Sequence, residues 1–144
     1  MPIILKSKRD RLTAALTTDK IYIEAYAPVE IGNDQEREEF YEDVEMVTRE
    51  YKQAYPNHAI IVMGDMNAHI CGYYSEETNE NGQLLLDFCK KQAFSLVPYQ
   101  GPTFERGDTK TAVDYILLER EHFHKLRSAD ILSRQYVHSD HNIL

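Results

Sequence analysis

The stretch Ala59-Ile60-Ile61-Val62-Met63-Gly64-Asp65-Met66-Asn67-Ala68-His69 decides how the rest of the sequence is read. Ile60, Ile61, Val62 and Met63 form a short apolar run rich in β-branching, with Pro56 and Asn57 before it and Gly64 after it. That is the pattern of a strand buried on both faces. Gly64 lets the backbone turn. If the strand continues, Asp65 and Asn67 lie two apart and face one spot at its carboxyl end, the edge where open α/β sheets place their ligands. An anionic acceptor beside an amide can hold and orient a water molecule. The same residues also suit an Asx turn that merely closes a strand, and both readings stand at this point.

Upstream, Arg11 to Thr17 and Ile21 to Tyr26 are strand-like, separated by Thr18-Asp19-Lys20 as a hairpin turn. Ile21, Ile23 and Ala25 alternate with Tyr22, Glu24 and Tyr26, which predicts one apolar and one amphipathic face, and Pro28 stops the strand. Tyr26 sits at the strand end, either capping the core edge or offering its hydroxyl to a site. Asn33-Asp34 offers an N-cap to a helix reaching about Ala54, with Glu36, Glu38 and Glu39 at its positive end. Phe40, Val44, Val47 and Tyr51 make its apolar stripe, and its acidic face is solvated.

Downstream, the polar run from Ile70 to Asn81 reads as a loop pivoting at Gly72, and Asn81 or Gly82 introduces a second helix through Gln92. Leu84, Leu85, Phe88 and Cys89 form its buried side. A short strand is expected at Leu96 to Tyr99, a turn at Gly101-Pro102 before Thr103-Phe104, and a charged turn around Gly107. Ala112 to Leu118 is a further strand with an acid, Asp114, inside it, and a buried carboxylate requires a partner. A last strand, Ile131 to Val137, delivers Ser139-Asp140-His141 into a turn. His122 and His124 read as surface residues. His69 and Cys71 are too isolated for a zinc site, because no second pair with ligand spacing accompanies them.

The 144 residues fit one domain with one core, and strand pairs alternating with two helices indicate an α/β layered architecture. No apolar run approaches the roughly 20 residues of a membrane span, so no membrane partner is expected and the setting is nuclear or cytoplasmic. Cys71 and Cys89 are expected to be reduced thiols. The net charge of −8 argues against a uniformly basic nucleic-acid surface. The acid is local, however: residues 1 to 20 carry +3, residues 21 to 80 carry −11, and residues 81 to 144 are neutral. A small phosphate-facing site therefore remains compatible with the total.

Asp65, Asn67, Asp114, Asp140 and His141 stand at or inside strand ends on three separate strands. Together they suit hydrolysis of a phosphate ester, which needs an activated water, a hard cation held by oxygen ligands and a stabilised anionic transition state. Asp114 would hold the His141 imidazole while His141 donates to a phosphate oxygen. A Ser-His-Asp acyl hydrolase is the competing constellation, but no Gly-x-Ser-x-Gly elbow is present.

Tyr26-Ala-Pro, Gly64-Asp-Met-Asn-Ala68, Val113-Asp-Tyr-Ile116 and Ser139-Asp-His141, in this order, resemble the endonuclease/exonuclease/phosphatase superfamily. The likeness is greatest to the endonuclease domains of non-LTR retrotransposons and related cellular proteins, and Asn79-Glu-Asn-Gly82 leading into Leu84-Leu-Leu-Asp-Phe-Cys89 adds to it. The resemblance spans Tyr26 to His141. It implies a four-layered α/β/β/α sandwich of two mostly antiparallel sheets flanked by helices, and Mg²⁺- or Mn²⁺-dependent phosphodiester cleavage. It also implies that Asp65 and Asn67 position or activate water, with both available to the metal. Tyr26 would contact the scissile phosphate, Asp140 would help hold the metal, and His141, oriented by Asp114, would stabilise the pentacovalent phosphate.

Superfamily members carry an asparagine on an opening strand and then a glutamate metal ligand, and neither is found before Tyr26; residues 1 to 20 contain no Glu. The retrotransposon-type tryptophan before Val113-Asp-Tyr is also missing, and the frequent asparagine two residues before Tyr26 is Glu24, expected to repel phosphate. The reading is therefore a single domain over residues 1–144, incomplete at both ends and equivalent to the C-terminal portion of such a fold. Its expected function is DNA endonuclease-like phosphodiester hydrolysis, impaired by the absent metal segment. The expected partners are DNA or another phosphodiester and the remainder of a longer polyprotein. A non-catalytic remnant or interaction domain and a phosphatase of a small phosphorylated substrate are the alternatives.

Overall fold

The computed structural model describes residues 10–29, 34–129, 131, 139–142 and 144, with the backbone of residues 3–6. The expected Asn33 cap and nearly all of the expected last strand to Val137 lie outside the described residues.

A six-stranded sheet carries the molecule. Its strands are β1 (Ile3–Lys6), β2 (Leu12–Leu16), β3 (Lys20–Tyr26), β4 (Ala59–Asp65), β5 (Phe94–Leu96) and, after a separate hairpin of β6 (Phe104–Arg106) and β7 (Thr109–Thr111), β8 (Asp114–Glu119). Across the sheet the order is β1-β2-β3-β4-β8-β5. Among the described strands only β3 and β4 run parallel, because the long helix α1 (Asp34–Ala54) intervenes and carries the chain back to the same starting edge. A second helix, α2 (Glu80–Gln92), and a 3-10 turn at Arg120–Lys125 complete the described elements. Two sheets with helices in a mixed α/β arrangement match the predicted fold class.

One face of the main sheet is the core. Ile21, Ile23 and Ala25 of β3, Ile60 and Val62 of β4, and Tyr115 and Leu117 of β8 are buried there, together with Phe40 and Val44 of α1 and Leu85 and Phe88 of α2. Each large aliphatic or aromatic side chain so buried contributes about 1.5–3 kcal/mol. The opposite face is less covered. In β4, Ile61 and Met63 are only half-buried, which corrects the expectation of a strand buried on both sides. A cavity of about 400 Å³ lies over that face, lined by Tyr22, Glu24, Met63 and Ile116 among others.

Local boundaries differ where side chains outcompete pattern. β4 runs through Gly64 to Asp65, so glycine does not turn the chain. It serves close approach instead, since a Cβ there would stand 2.0 Å from the Ala25 carbonyl oxygen. Asn79, not Asn81 or Gly82, caps α2, its side chain accepting from the Gly82 N–H at 2.8 Å. At the other end Ala93 takes a left-handed conformation (φ 57°), so the chain enters β5 at once, two residues ahead of the strand expected at Leu96. β1 was not anticipated from the sequence. Gly107 turns the β6–β7 hairpin as expected, with φ 59°.

Candidate active site

Sheet register assembles the site. Tyr26 is paired with Asp65 across the parallel β3–β4 ladder, and Asp65 with Asp114 across β4–β8. Residues in register project to the same side of a sheet, so three strands place a phenol and two carboxylates in one row on the less covered face. Tyr26 is 54% exposed, whereas the side chains of Asp65 and Asp114 retain 16% and 18% exposure.

His141 closes on this row from the far end of the chain. Its Nδ1 stands 2.8 Å from Asp114 Oδ2, and its Nε2 is 3.6 Å from Asp65 Oδ2. An ionised carboxylate only accepts, so Nδ1 carries the proton shared with Asp114, and the tautomer follows from that bond. The Phe104 ring packs edge-on against the imidazole with centroids 5.2 Å apart, and Phe104 forms a β-bridge with His141. The buried Thr103 hydroxyl accepts from the Val113 and Asp114 N–H groups at 2.9 and 3.1 Å. The Tyr99 hydroxyl donates to the Asp114 carbonyl at 2.5 Å. The Asp114–His141 pair is thus fixed from both the strand and the turn.

β4 ends at Asp65, so Asn67 does not continue the strand, and of the two readings the sequence left open the Asx turn is the one that forms. Asp65 Oδ1 accepts from the Asn67 backbone N–H at 2.9 Å, an Asx turn. Asn67 then adopts φ 45° and its Nδ2 donates to the Ala27 carbonyl at 2.8 Å, which holds the amide beside the β3 exit. Burial pushes the Asp65 carboxyl above its usual range; the Asn67 N–H pulls it down, Asp114 raises it further and His141 lowers it.

Asp65, Asp114 and His141 each offer a ligand atom within 4.8 Å of the others. Asp140 does not join that group: its carboxylate stands 3.8 Å from Arg106 Nε, and its carbonyl accepts from the Glu105 N–H at 2.7 Å. The structure therefore brings Tyr26, Asp65, Asn67, Asp114 and His141 to one place and sets Asp140 at its rim. In the only other such group among the described residues, Glu119, Glu121 and His122, the two carboxylates face the Lys52 ammonium at 3.2 and 3.6 Å. His69 and Cys71 form no such group among the described residues. The Cys89 thiol, pushed up to about 12 by burial, is core.

Sequence reasoning missed Arg11. Its guanidinium lies 5.5 Å from the Tyr26 ring centroid, donates to the Tyr26 carbonyl at 3.2 Å and pairs with Glu36 at 2.8 Å. The excess of basic residues before position 21 was the one available signal. Thr103 left none, since an isolated threonine gives no hint of the strand it will brace.

The fold and this acid–histidine row define a member of the endonuclease/exonuclease/phosphatase superfamily. More narrowly, the family described as Endonuclease-reverse transcriptase matches residues 21–144, and the chain belongs to it. No curated protein matches the sequence. Among solved structures, the endonuclease domain of TRAS1, a telomere-specific non-LTR retrotransposon, is similar with TM-score 0.73 at 18% identity, over 98% of this chain and 66% of that one. The 3′ phosphatase NExo from Neisseria, bound to a product DNA hairpin, is similar with TM-score 0.75 at 12% identity, over 99% and 69%. A mannosyl-6-phosphatase from Bacteroides thetaiotaomicron is similar with TM-score 0.55 at 17% identity, over 75% and 42%. At these identities the likeness is one of fold. The chain spans about two thirds of the length of the first two structures.

Proposed function

We propose that this chain carries the hydrolytic residues of a DNA endonuclease-like phosphodiesterase that works with Mg²⁺ or Mn²⁺. The observation that supports it is the row Tyr26–Asp65–Asp114 closed by His141. Asp114 accepts from one imidazole nitrogen, and with the ring protonated on both nitrogens Nε2, 3.6 Å from Asp65 and outside hydrogen-bond reach of it, donates to a phosphate oxygen. Asp65, largely buried, accepts a proton from an attacking water, and the Asn67 amide beside it orients that water. The exposed Tyr26 would meet the same phosphate, and Arg11, 5.5 Å from its ring centroid, adds a positive charge beside it. A nuclear or cytoplasmic setting accords with such a substrate.

The donor set suits a hard cation in part. Two carboxylates with oxygens close together match what Mg²⁺ prefers, while the imidazole between them is already engaged. Asp65 and the Asn67 side-chain oxygen would hold the ion, with Asp140 nearby, and the ion would neutralise charge on the phosphate.

Purified chain is incubated with supercoiled plasmid and Mg²⁺ or Mn²⁺, alongside EDTA and the variants Asp65→Ala and His141→Ala. Nicking that EDTA and both substitutions abolish supports the reading. A folded chain that leaves the plasmid intact under every condition overturns it, and points to a binding role for the same scaffold.

A further inference from the structure

The motif Asn79-Glu-Asn-Gly82 finds no role in the row just described, yet it holds the segments that leave β3 and β4 by four hydrogen bonds. Asn81 is 2% exposed, and its Nδ2 donates both to the Asn67 carbonyl at 2.9 Å and to the Pro28 carbonyl at 3.0 Å. Asn79 Oδ1 accepts from the His69 N–H at 3.0 Å as well as capping α2, and the Asn79 N–H donates to the His69 carbonyl at 3.0 Å. Gly82 lies so close that a Cβ there would stand 2.1 Å from the same His69 oxygen. The first turn of α2 is therefore seated directly on the loop that follows β4.

Resting on the hydrolytic reading of that loop, we infer that Asn81 is a positioning residue that sets the aim of Asn67. Asn67 holds a left-handed backbone, φ 45°, which a residue with a side chain adopts only when its surroundings enforce it. Two contacts enforce it from the front: Asp65 takes its N–H and Ala27 takes its side-chain Nδ2. Asn81 supplies the third from behind, gripping the Asn67 carbonyl. The same amide grips Pro28, so the exits of β3 and β4 are tied together, and with them Tyr26 and Asp65. An amide is the side chain that donates to two carbonyls at once without adding charge. A buried aspartate would face both oxygens with like polarity.

The experiment is amide hydrogen exchange on the purified chain, comparing wild type with Asn81→Ala and the milder Asn81→Ser, which keeps one donor. Expected for Asn81→Ala is exchange about tenfold faster or more at Asn67 and His69, with β3 and β4 core amides within about twofold of wild type. Asn81→Ser should lie between. Uniformly faster exchange across the chain, or no change at Asn67, overturns the inference. This readout needs no turnover, so it stands even if plasmid cleavage fails. Where the chain does cleave, Asn81→Ala lowers kcat with KM held, and combining it with Asn67→Ala costs no more than Asn67→Ala alone. Additive losses in that cycle would mean Asn81 does not act through Asn67.

Discussion

Replacing Gly64 by alanine tests how the sheet builds the site. Gly64 holds φ +141°, a region that residues with side chains avoid, and an added Cβ would sit 2.0 Å from the Ala25 carbonyl oxygen and 3.0 Å from its carbon. Ordinary contact begins near 3.4 Å, so the two strands would have to part by about 1.4 Å or Gly64 would have to leave its backbone well. A strained backbone of this kind costs about 1–3 kcal/mol, and overpacking adds about 1–3 kcal/mol. The sum, about 2–6 kcal/mol, is a large share of the roughly 5–15 kcal/mol that holds a domain together. Urea denaturation read by far-UV circular dichroism measures it. Because Ala25–Gly64 is the pair next to Tyr26–Asp65 in the parallel ladder, the displacement reaches the row, where misplacement of about 1 Å costs about 10²-fold in rate. A loss under about 1 kcal/mol would refute the claim that close strand approach requires glycine here.

Other substitutions probe the charges. Asp114→Asn keeps the shape of the pair but offers His141 an amide where a carboxylate stood, so cleavage should fall by about 10²-fold or more in kcat with little change in KM, read by plasmid nicking. Glu24→Asn removes the acid two residues before Tyr26 and should tighten binding of a short phosphodiester ligand at matched salt, measured by fluorescence anisotropy; unchanged affinity would sink the repulsion argument. Burial raises the Asp65 pKa above its ordinary 3.8, so the native state binds that proton more tightly than the unfolded chain does. Its ionisation therefore costs stability, a cost absent below the unfolded value, growing as pH rises through the interval up to the native one, and full above it. Asp65→Asn should accordingly gain stability over wild type at pH 7 and gain little at pH 3, by urea midpoints, while abolishing cleavage. Mn²⁺ at millimolar concentration should raise the thermal midpoint of wild type and not of Asp65→Ala, through linkage to binding.

Much of the architecture was readable because it rests on local signals. The apolar run at Ile60 to Met63, the alternation at Ile21 to Tyr26 and the stripe of Phe40, Val44 and Val47 are each a single element's own periodicity, and each formed where expected. The residue types of the site were legible too: Asp65, Asn67, Asp114 and His141 stood at predicted strand ends, and an acid inside an apolar strand announced its need for a partner. Sequence by itself thus determined most of the elements, the superfamily motifs and which residues to propose as the reacting groups.

The tertiary structure decided how they meet. No local pattern states that β3 and β4 pair with Tyr26 opposite Asp65, that β8 inserts Asp114 on the other side, or that His141 reaches back over 27 positions to it. The same holds for the grip of Asn81 on Asn67 and for Asp140, which stands 3.8 Å from Arg106 and outside the group within ligand distance. These depend on register and on hydrogen bonds between segments distant in sequence. A one-residue slip in either ladder would send the slipped strand's member of the row to the opposite face. Registers are chosen by the core packed beneath the sheet, whose contacts exist only once the chain has folded.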